Sequence, residues 1–467
     1  MSDALQKLET SEVRRFKPYP AYKASGTKWL GNVPEHWSVK RGRFCMSVNP
    51  PLRLNVKLGA DDEVSFVPME AVGEYGGLDL SQTRMLGEIS SGYTEFKNGD
   101  VIVAKITPCF ENGKGALARG LLHGVAYGTT ELHVLRSGEG LERRYLFYVT
   151  ISSMYRKAGE AEMYGAGGQK RVPPEFNKDF RTPLPPNQEQ LAICDFLDIE
   201  TSKIDTLIAH KRGVIEKLKE KRSALISRTV MRGLPPEAAH TRGLSPHPPL
   251  KPSGVEWLGD VPTHWNVLPF TKYVAEKSDY RGATPEKVHE GIFLVTAKNV
   301  RMGFIDYESS QEYVAAEDYD QIMRRGFPKK GDILFTTEAP LGNVALVDRE
   351  DIALAQRIIR FRMNPEYFDS RFTLYAMMSN YFQGQLQSLS TGSTAEGLKA
   401  SKLPILRLIA PPIDEQRTIA AYLDSQVDSI DQAITVTEQG ILRMKEYRTA
   451  LITAAVTGKI DVRGVVA

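Results

Sequence analysis

The sequence predicts an α+β chain: two pseudo-repeated, mixed β-rich domains and two long helices. Three observations predict it. The motif Pro-Pro-x-x-Glu-Gln occurs twice, as Pro185–Gln190 and Pro411–Gln416, at an offset of 226 residues. Each copy opens a long polar–apolar run that aligns with the other without a gap. A thirteen-residue stretch, present twice, holds all four tryptophans and stands ahead of each β-rich region.

The helices follow from the first two observations. Proline fits the approach to a helix or its first turn. The glutamate then lies in that turn, where a carboxylate suits the free N–H groups and the positive dipole end. Apolar residues recur every seven: Leu197, Ile204, Leu218 and Leu225 in one run, and Leu423, Ile430, Met444 and Leu451 in the other, with Lys211 and Thr437 as interruptions. A second seam adds Leu207 and Val214. This spacing predicts helices with a coiled-coil seam. About 35 residues at ~1.5 Å rise make a rod of roughly 50 Å. Such a helix cannot bury its stripe alone, and its own repeat is the obvious partner.

Residues 1–24 form a polar tail of no assigned role. The tryptophan stretch follows as Ser25–Trp37 and again as Ser253–Trp265, identical at nine of thirteen positions. Its Gly and Pro residues set turns and its Trp residues bury large area, so it is expected to be a structural clasp, with His36 and His264 in turn or packing roles. A ligand pocket built on Trp and His is the alternative. Short β-branched runs then pair off between the halves: Ser65–Val72 with Phe293–Val300, and Gly99–Lys105 with Gly331–Thr337. They read as strands. One helix is expected over Leu141–Arg156 and another over Tyr367–Gln385. A Gly-rich or Ser/Thr-rich loop, Tyr164–Arg171 or Ser390–Glu396, precedes each Pro-Pro motif. The Pro-rich segment 234–252 reads as a linker. The expected boundaries are therefore 25–185 and 253–410 for the β-rich domains, and 186–233 and 411–467 for the helical segments.

Composition bounds the function. Of 467 residues 42% are hydrophobic and 25% charged, ordinary for a globular chain. No run of 18 apolar residues and no signal-peptide core is present, which points to a cytoplasmic protein. Cys45, Cys109 and Cys194 are widely spaced, against a structural zinc site and for reduced thiols. Net charge is only +3, yet Lys203–Arg232 holds nine Lys or Arg against three acids, while Ser429–Gly458 holds three of each. That surplus suits DNA phosphate or an acidic partner protein; a solvated basic face is the other reading.

The doubled Trp-Leu-Gly-x-Val-Pro-x-His-Trp stretch, the doubled Gly-Asp strand, the Gly/Ser/Thr loops and the doubled Pro-Pro-x-x-Glu-Gln helices together resemble a specificity subunit of a type I restriction-modification system, over nearly the whole chain and in the family's order. The resemblance implies two target recognition domains separated by two long antiparallel coiled-coil spacer helices. It implies a bipartite, asymmetric double-stranded DNA site, one half per domain. It implies docking to two modification (methyltransferase) subunits and to restriction (translocase and nuclease) subunits. No cofactor is expected on this chain; S-adenosylmethionine, ATP and Mg would sit on the partners. Candidates for base or phosphate contact in the first half are the side chains of Lys105, Thr107, Lys114, Gln169, Lys170 and Arg171, with Gly167 and Gly168 as flexible backbone. Thr336, Thr337, Gln356, Arg357, Ser393, Thr394 and Lys399 are the candidates in the second. The heptad residues Leu197, Ile204, Leu218, Leu225, Leu423, Ile430, Met444 and Leu451 are assigned to the spacer and to partner docking.

Chemistry of its own is not expected. Asn49-Pro50-Pro51-Leu52 resembles a methyltransferase tetrad but ends in Leu, where an aromatic would stack on a flipped base. No P-loop, HExxH or GxSxG is present. Two other classes remain: a stand-alone enzyme acting on DNA, and a protein-binding scaffold built on the helix pair.

Overall fold

A computed structural model describes residues 16–53, 58–89, 92–166, 168–255, 258–280, 284–390 and 397–465. The chain divides into two compact units. One comprises Met1–Arg212 with Glu438–Ala467, and the other Gly213–Thr437. Two continuous helices, Asn187–Arg232 and Ile413–Val456, each contribute one segment to either unit.

In the first unit, strands Met46–Val48, Leu132–Ser137, Val101–Ala104 and Gly115–Leu117 form an antiparallel sheet in that order. A second sheet runs Thr83–Met85, Glu63–Val67, Val125–Gly128, Thr94–Lys97, with its central pair parallel. The second unit repeats both. Its antiparallel sheet orders Val274–Asp279, Ile358–Met363, Ile333–Thr336 and Val344–Leu346. Its three-stranded sheet keeps the parallel pair Ile292–Val295 and Ile352–Leu354. The doubled Gly-Asp motif is a turn fastener. Asp100 accepts from Lys97 N (3.0 Å) and from Arg136 Nε and Nη2 (2.7 and 2.8 Å). Asp332 accepts from Lys329 N (2.8 Å), from Arg362 Nε and Nη2 (2.8 Å each) and from Arg360 Nη1 (2.6 Å). Burial works to raise the Asp332 pKa, but the hydrogen bonds from Arg362 and Arg360 outweigh it and hold the carboxyl below its ordinary value.

The tryptophan stretch is the expected clasp. Trp37 is buried, and Glu189 Oε1 accepts from its Nε1 (2.9 Å) and from the Tyr19 hydroxyl (2.6 Å), while Oε2 meets His36 Nε2 (2.7 Å). Gln190 closes the same turn, donating to the Gly140 and Pro185 carbonyls (2.8 and 2.9 Å) and accepting from Glu142 N (2.8 Å). Gln416 does the same with the Tyr367 and Pro411 carbonyls (2.8 Å each) and Asp369 N (3.0 Å). Glu415 meets His264 (2.8 Å), whereas the buried Trp265 Nε1 has no partner.

Each unit packs its two helix segments with the same contacts. Arg448 pairs with Asp205 (3.3 Å) in one, Arg222 with Asp431 (3.0 Å) in the other. In the first unit a Cβ at Gly440 would lie 3.6 Å from Lys211 Nζ, so with 205 beside 448 the segments run antiparallel. Leu197, Ile204 and Leu451 fill the core of this unit, with Met444 against it; Leu423 and the half-buried Leu225 do so in the second. Ile430 is also buried and Leu218 half-buried. The seam therefore faces inward, and these residues are not an open docking surface. Leu207 and Val214, expected in a second seam, are 51% and 37% exposed.

Three local expectations differ. The helices over 141–156 and 367–385 are each broken, into Arg143–Ile151 and Ser153–Ala161, and Ser370–Met378 and Asn380–Leu389. Ser152 and Ser379 adopt extended backbone at the breaks, and their hydroxyls bond the preceding turn at Val149 O (2.6 Å) and Ala376 O (2.5 Å). The tail is fastened from residue 16 on: Tyr22–Ala24 pairs with Asn32–Pro34. The linker holds a helix, Pro236–Thr241, with Leu234 and Ala239 buried, and Leu250–Pro252 pairs with Asp260–Pro262. Trp257 of the clasp lies outside the described residues.

Glu189→Ala strands two buried donors and is expected to lower unfolding free energy by about 2–4 kcal/mol. Urea titration checks this, and Glu415→Ala should cost less because its His264 is 44% exposed. Asp332 gives a pH signature. Its folded pKa is depressed, so its contribution is complete above the unfolded value of about 3.9 and is lost as pH falls through the folded value. Denaturation between roughly pH 1 and 5 should show a steeper acid loss in the wild type than in Asp332→Asn, which starts less stable at neutral pH.

Candidate nucleic-acid interface

The candidate site lies outside the carboxyl ends of the parallel strands, the side on which open parallel sheets present ligands. Repeated hydrogen bonds fix the correspondence of the two domains there: Thr129 N to Val67 O (3.1 Å) and Ala355 N to Val295 O (2.9 Å). In the first domain Lys105 N donates to Glu131 O (2.9 Å), Val172 N to Lys105 O (2.8 Å) and Thr107 N to Lys170 O (3.0 Å). In the second, Thr337 N donates to Arg357 O (3.0 Å) and Leu398 N to Thr337 O (2.9 Å). The loop before each Pro-Pro motif is thereby laid against a strand end.

In the first domain Arg171 grips Glu131 with two bonds, Nε to Oε2 (3.0 Å) and Nη2 to Oε1 (2.8 Å). The Arg171 hydrogen bond holds the Glu131 carboxyl below its ordinary pKa, and the same bond raises the guanidinium. Gly168, Gln169 and Lys170 stand exposed beside them, and Lys105 and Thr107 are half-buried. In the second domain a cavity of about 240 Å³ opens between Thr284, Lys287, Thr296, Lys298, Gln356 and Arg357. Thr284 Oγ1 donates to Gln356 Oε1 (2.9 Å), Lys287 pairs with Glu312 (2.7 Å) and Arg357 Nε with Glu338 (3.1 Å). Fork-shaped guanidinium, amide and ammonium groups at one edge suit the acceptors of base edges and phosphates.

The family model for the type I restriction modification DNA specificity domain matches residues 301–439. The EcoAI and EcoEI type I specificity subunits of Escherichia coli are 32% and 35% identical over 44% and 45% of this chain; the matches span 36% and 37% of their own lengths. The MjaVIII specificity subunit of Methanocaldococcus jannaschii is 25% identical over 92% of this chain and 94% of its own. A chain from a structure describing assembly and conformational transition of a type I R-M system superposes with a TM-score of 0.60 at 17% identity, over 91% of this chain and 98% of that one. Residues 301–439 thus match a type I DNA specificity domain, and the chain is similar to type I specificity subunits over most of its length.

Across the two domains, the expected contact residues divide. Lys105, Thr107, Gly168, Gln169, Lys170 and Arg171 come together, as do Gln356 and Arg357, and Lys399 is exposed near its own strand end. Gly167, Ser393 and Thr394 lie outside the described residues. Thr336 and Thr337 are buried; Thr336 Oγ1 donates to Pro340 O (2.6 Å) and accepts from Asn343 N (3.0 Å), and Thr337 Oγ1 donates to Arg357 O (3.3 Å). They hold the turn and face no solvent. Lys114 is tied to Met69 O (3.0 Å). Asn49, of the tetrad-like stretch, accepts from Val134 N (2.8 Å) and so fastens a strand edge. Sequence reasoning missed Glu131, Lys287 and Lys298. The matching of Val67 with Val295 places Lys298 three residues beyond a strand end and was the available signal. Among the described residues no helix is long and apolar enough to cross a membrane, and no group of three His, Cys, Asp or Glu is placed to hold a metal.

Thr336→Val is expected to cost about 1–3 kcal/mol in stability by stranding Asn343 N, with DNA sequence preference unchanged. Denaturation and methylated-motif sequencing measure the two effects separately.

Proposed function

We propose that this chain is the non-catalytic DNA-recognition subunit of a type I complex, reading a bipartite, asymmetric site with one half-site per domain. One observation carries the reading: a single backbone arrangement is present twice, at equivalent strand ends, with different side chains in each copy. Two readers of one build and different lining give two half-sites of different sequence. Direct readout needs polar side chains at base edges, and the two strand ends supply them. Methyl transfer and cleavage then fall to modification and restriction subunits, which carry S-adenosylmethionine, ATP and Mg. Because the heptad seam is used up internally, docking of those subunits falls to outward residues. On the first long helix Leu191, Ile199 and Leu207 are exposed apolar side chains available to a partner.

Methylated-motif sequencing in cells with and without this chain, beside its modification subunit, tests the proposal. A two-part motif should appear only with the chain, and replacing residues 25–185 with another such domain should change one half-site alone. An unchanged methylome would refute it. Lys170→Ala should weaken DNA binding of the complex evenly across sequences and lower the slope of log K against log salt by about 1.

A further inference from the structure

The two strand ends differ in charge at matched positions. Ala71 N bonds Pro68 O (3.1 Å) as Asn299 N bonds Thr296 O (3.0 Å), which matches Glu70 with Lys298. Lys105 N bonds Glu131 O as Thr337 N bonds Arg357 O, which matches Glu131 with Arg357 and therefore Thr130 with Gln356. Where the first domain presents Glu70, Thr130 and Glu131, the second presents Lys298, Gln356 and Arg357.

Arg357 is also held in an unusual way. Its φ is +75°, in the left-handed region that a long side chain rarely adopts, and its counterpart Glu131 does not share it. Backbone of this kind persists only where the surroundings over-determine it, and such positions gather at ligand sites. Thr337 supplies the constraint here. This 2%-exposed residue donates both its N–H (3.0 Å) and its hydroxyl (3.3 Å) to the Arg357 carbonyl. The side chain is left 49% exposed at the cavity rim, with Glu338, itself 44% exposed, on its Nε. An ion pair this exposed is weak, so it can orient the fork without withholding it from a ligand. An exposed fork suits an acceptor pair, and the base edge that offers two acceptors in the major groove is guanine, through O6 and N7.

We infer that Arg357 reads a guanine in the half-site taken by the second domain, with Glu338 as a positioning residue. This rests on the DNA-recognition reading above and names the residue and base that carry part of it.

The test is methylated-motif sequencing with the assembled complex. Exchange of residues 253–410 first identifies the second domain's half-site. Arg357→Lys keeps the charge and loses the fork. Arg357→Gly removes the side chain and accepts the left-handed backbone freely, so its thermal unfolding should be no lower than wild type. In both variants one position of that half-site, a guanine in the wild type, should lose about 5- to 150-fold of its discrimination, with the other half-site unchanged. Glu338→Gln should relax the same position by less. A guanine that survives both Arg357 variants would overturn the inference alone, as would an equal loss at every position, which marks a phosphate contact. Absence of any methylated motif in the wild type would overturn the recognition reading and this inference with it.

Discussion

The fold depends on where two very long apolar stripes can be buried. Helices of 46 and 44 residues have no interior of their own, and each is covered by giving one segment to either unit. The contacts that do this are duplicated with the helices exchanged. Tyr148 bonds Asp198 of the first helix (2.5 Å), and Tyr375 bonds Asp424 of the second (2.9 Å). Ser153 N bonds Thr453 of the second helix (3.0 Å), and Asn380 N bonds Ser227 of the first (2.9 Å). Each β-rich domain is therefore closed by the start of one helix and the end of the other, and neither has a complete core without both.

This arrangement explains what was legible in the sequence. Glu189, Gln190 and Gln416 each make several contacts at once and Trp37 and Trp265 are fully buried, so these positions stand out as near-identical motifs and announce the helix starts and clasps. The heptad seam was legible for the same reason, since Leu197, Ile204 and Leu451 all face the core. Leu207 and Val214 kept the period but not the burial. Period tells which residues share a face, and only the packed structure tells which face is covered.

The tail and linker show the opposite case. Proline-rich, polar segments resemble solvated connectors, yet both fold back by pairing with the strand that follows. A cue was present: Lys23-Ala24-Ser25-Gly26 recurs as Lys251-Pro252-Ser253-Gly254, so the repeat begins ahead of the tryptophan stretch. The breaks at Ser152 and Ser379 were hidden for another reason. A serine hydroxyl that bonds the turn behind it ends a helix without any change in apolar period.

Contact residues were the least legible because geometry, more than residue type, decides their role. Thr336 and Gln356 are both polar and near strand ends, but one hydroxyl is spent on its own turn and the other side chain lines a cavity. Matched positions sharpen the distinction. Where a side chain holds the fold, the halves agree, as Asp100 with Asp332 and Arg136 with Arg362. Where it stands at the strand ends they diverge, even to opposite charge, as Glu131 with Arg357. The same inversion occurs at Arg119 and Asp348, matched by the bonds Ala118 N to Asp100 O and Val347 N to Asp332 O (2.8 Å each). A duplicated chain can change its surface this freely because the ion pairs and clasps that carry stability are buried elsewhere. Two readers of unlike chemistry can then share one scaffold without either altering the other's core.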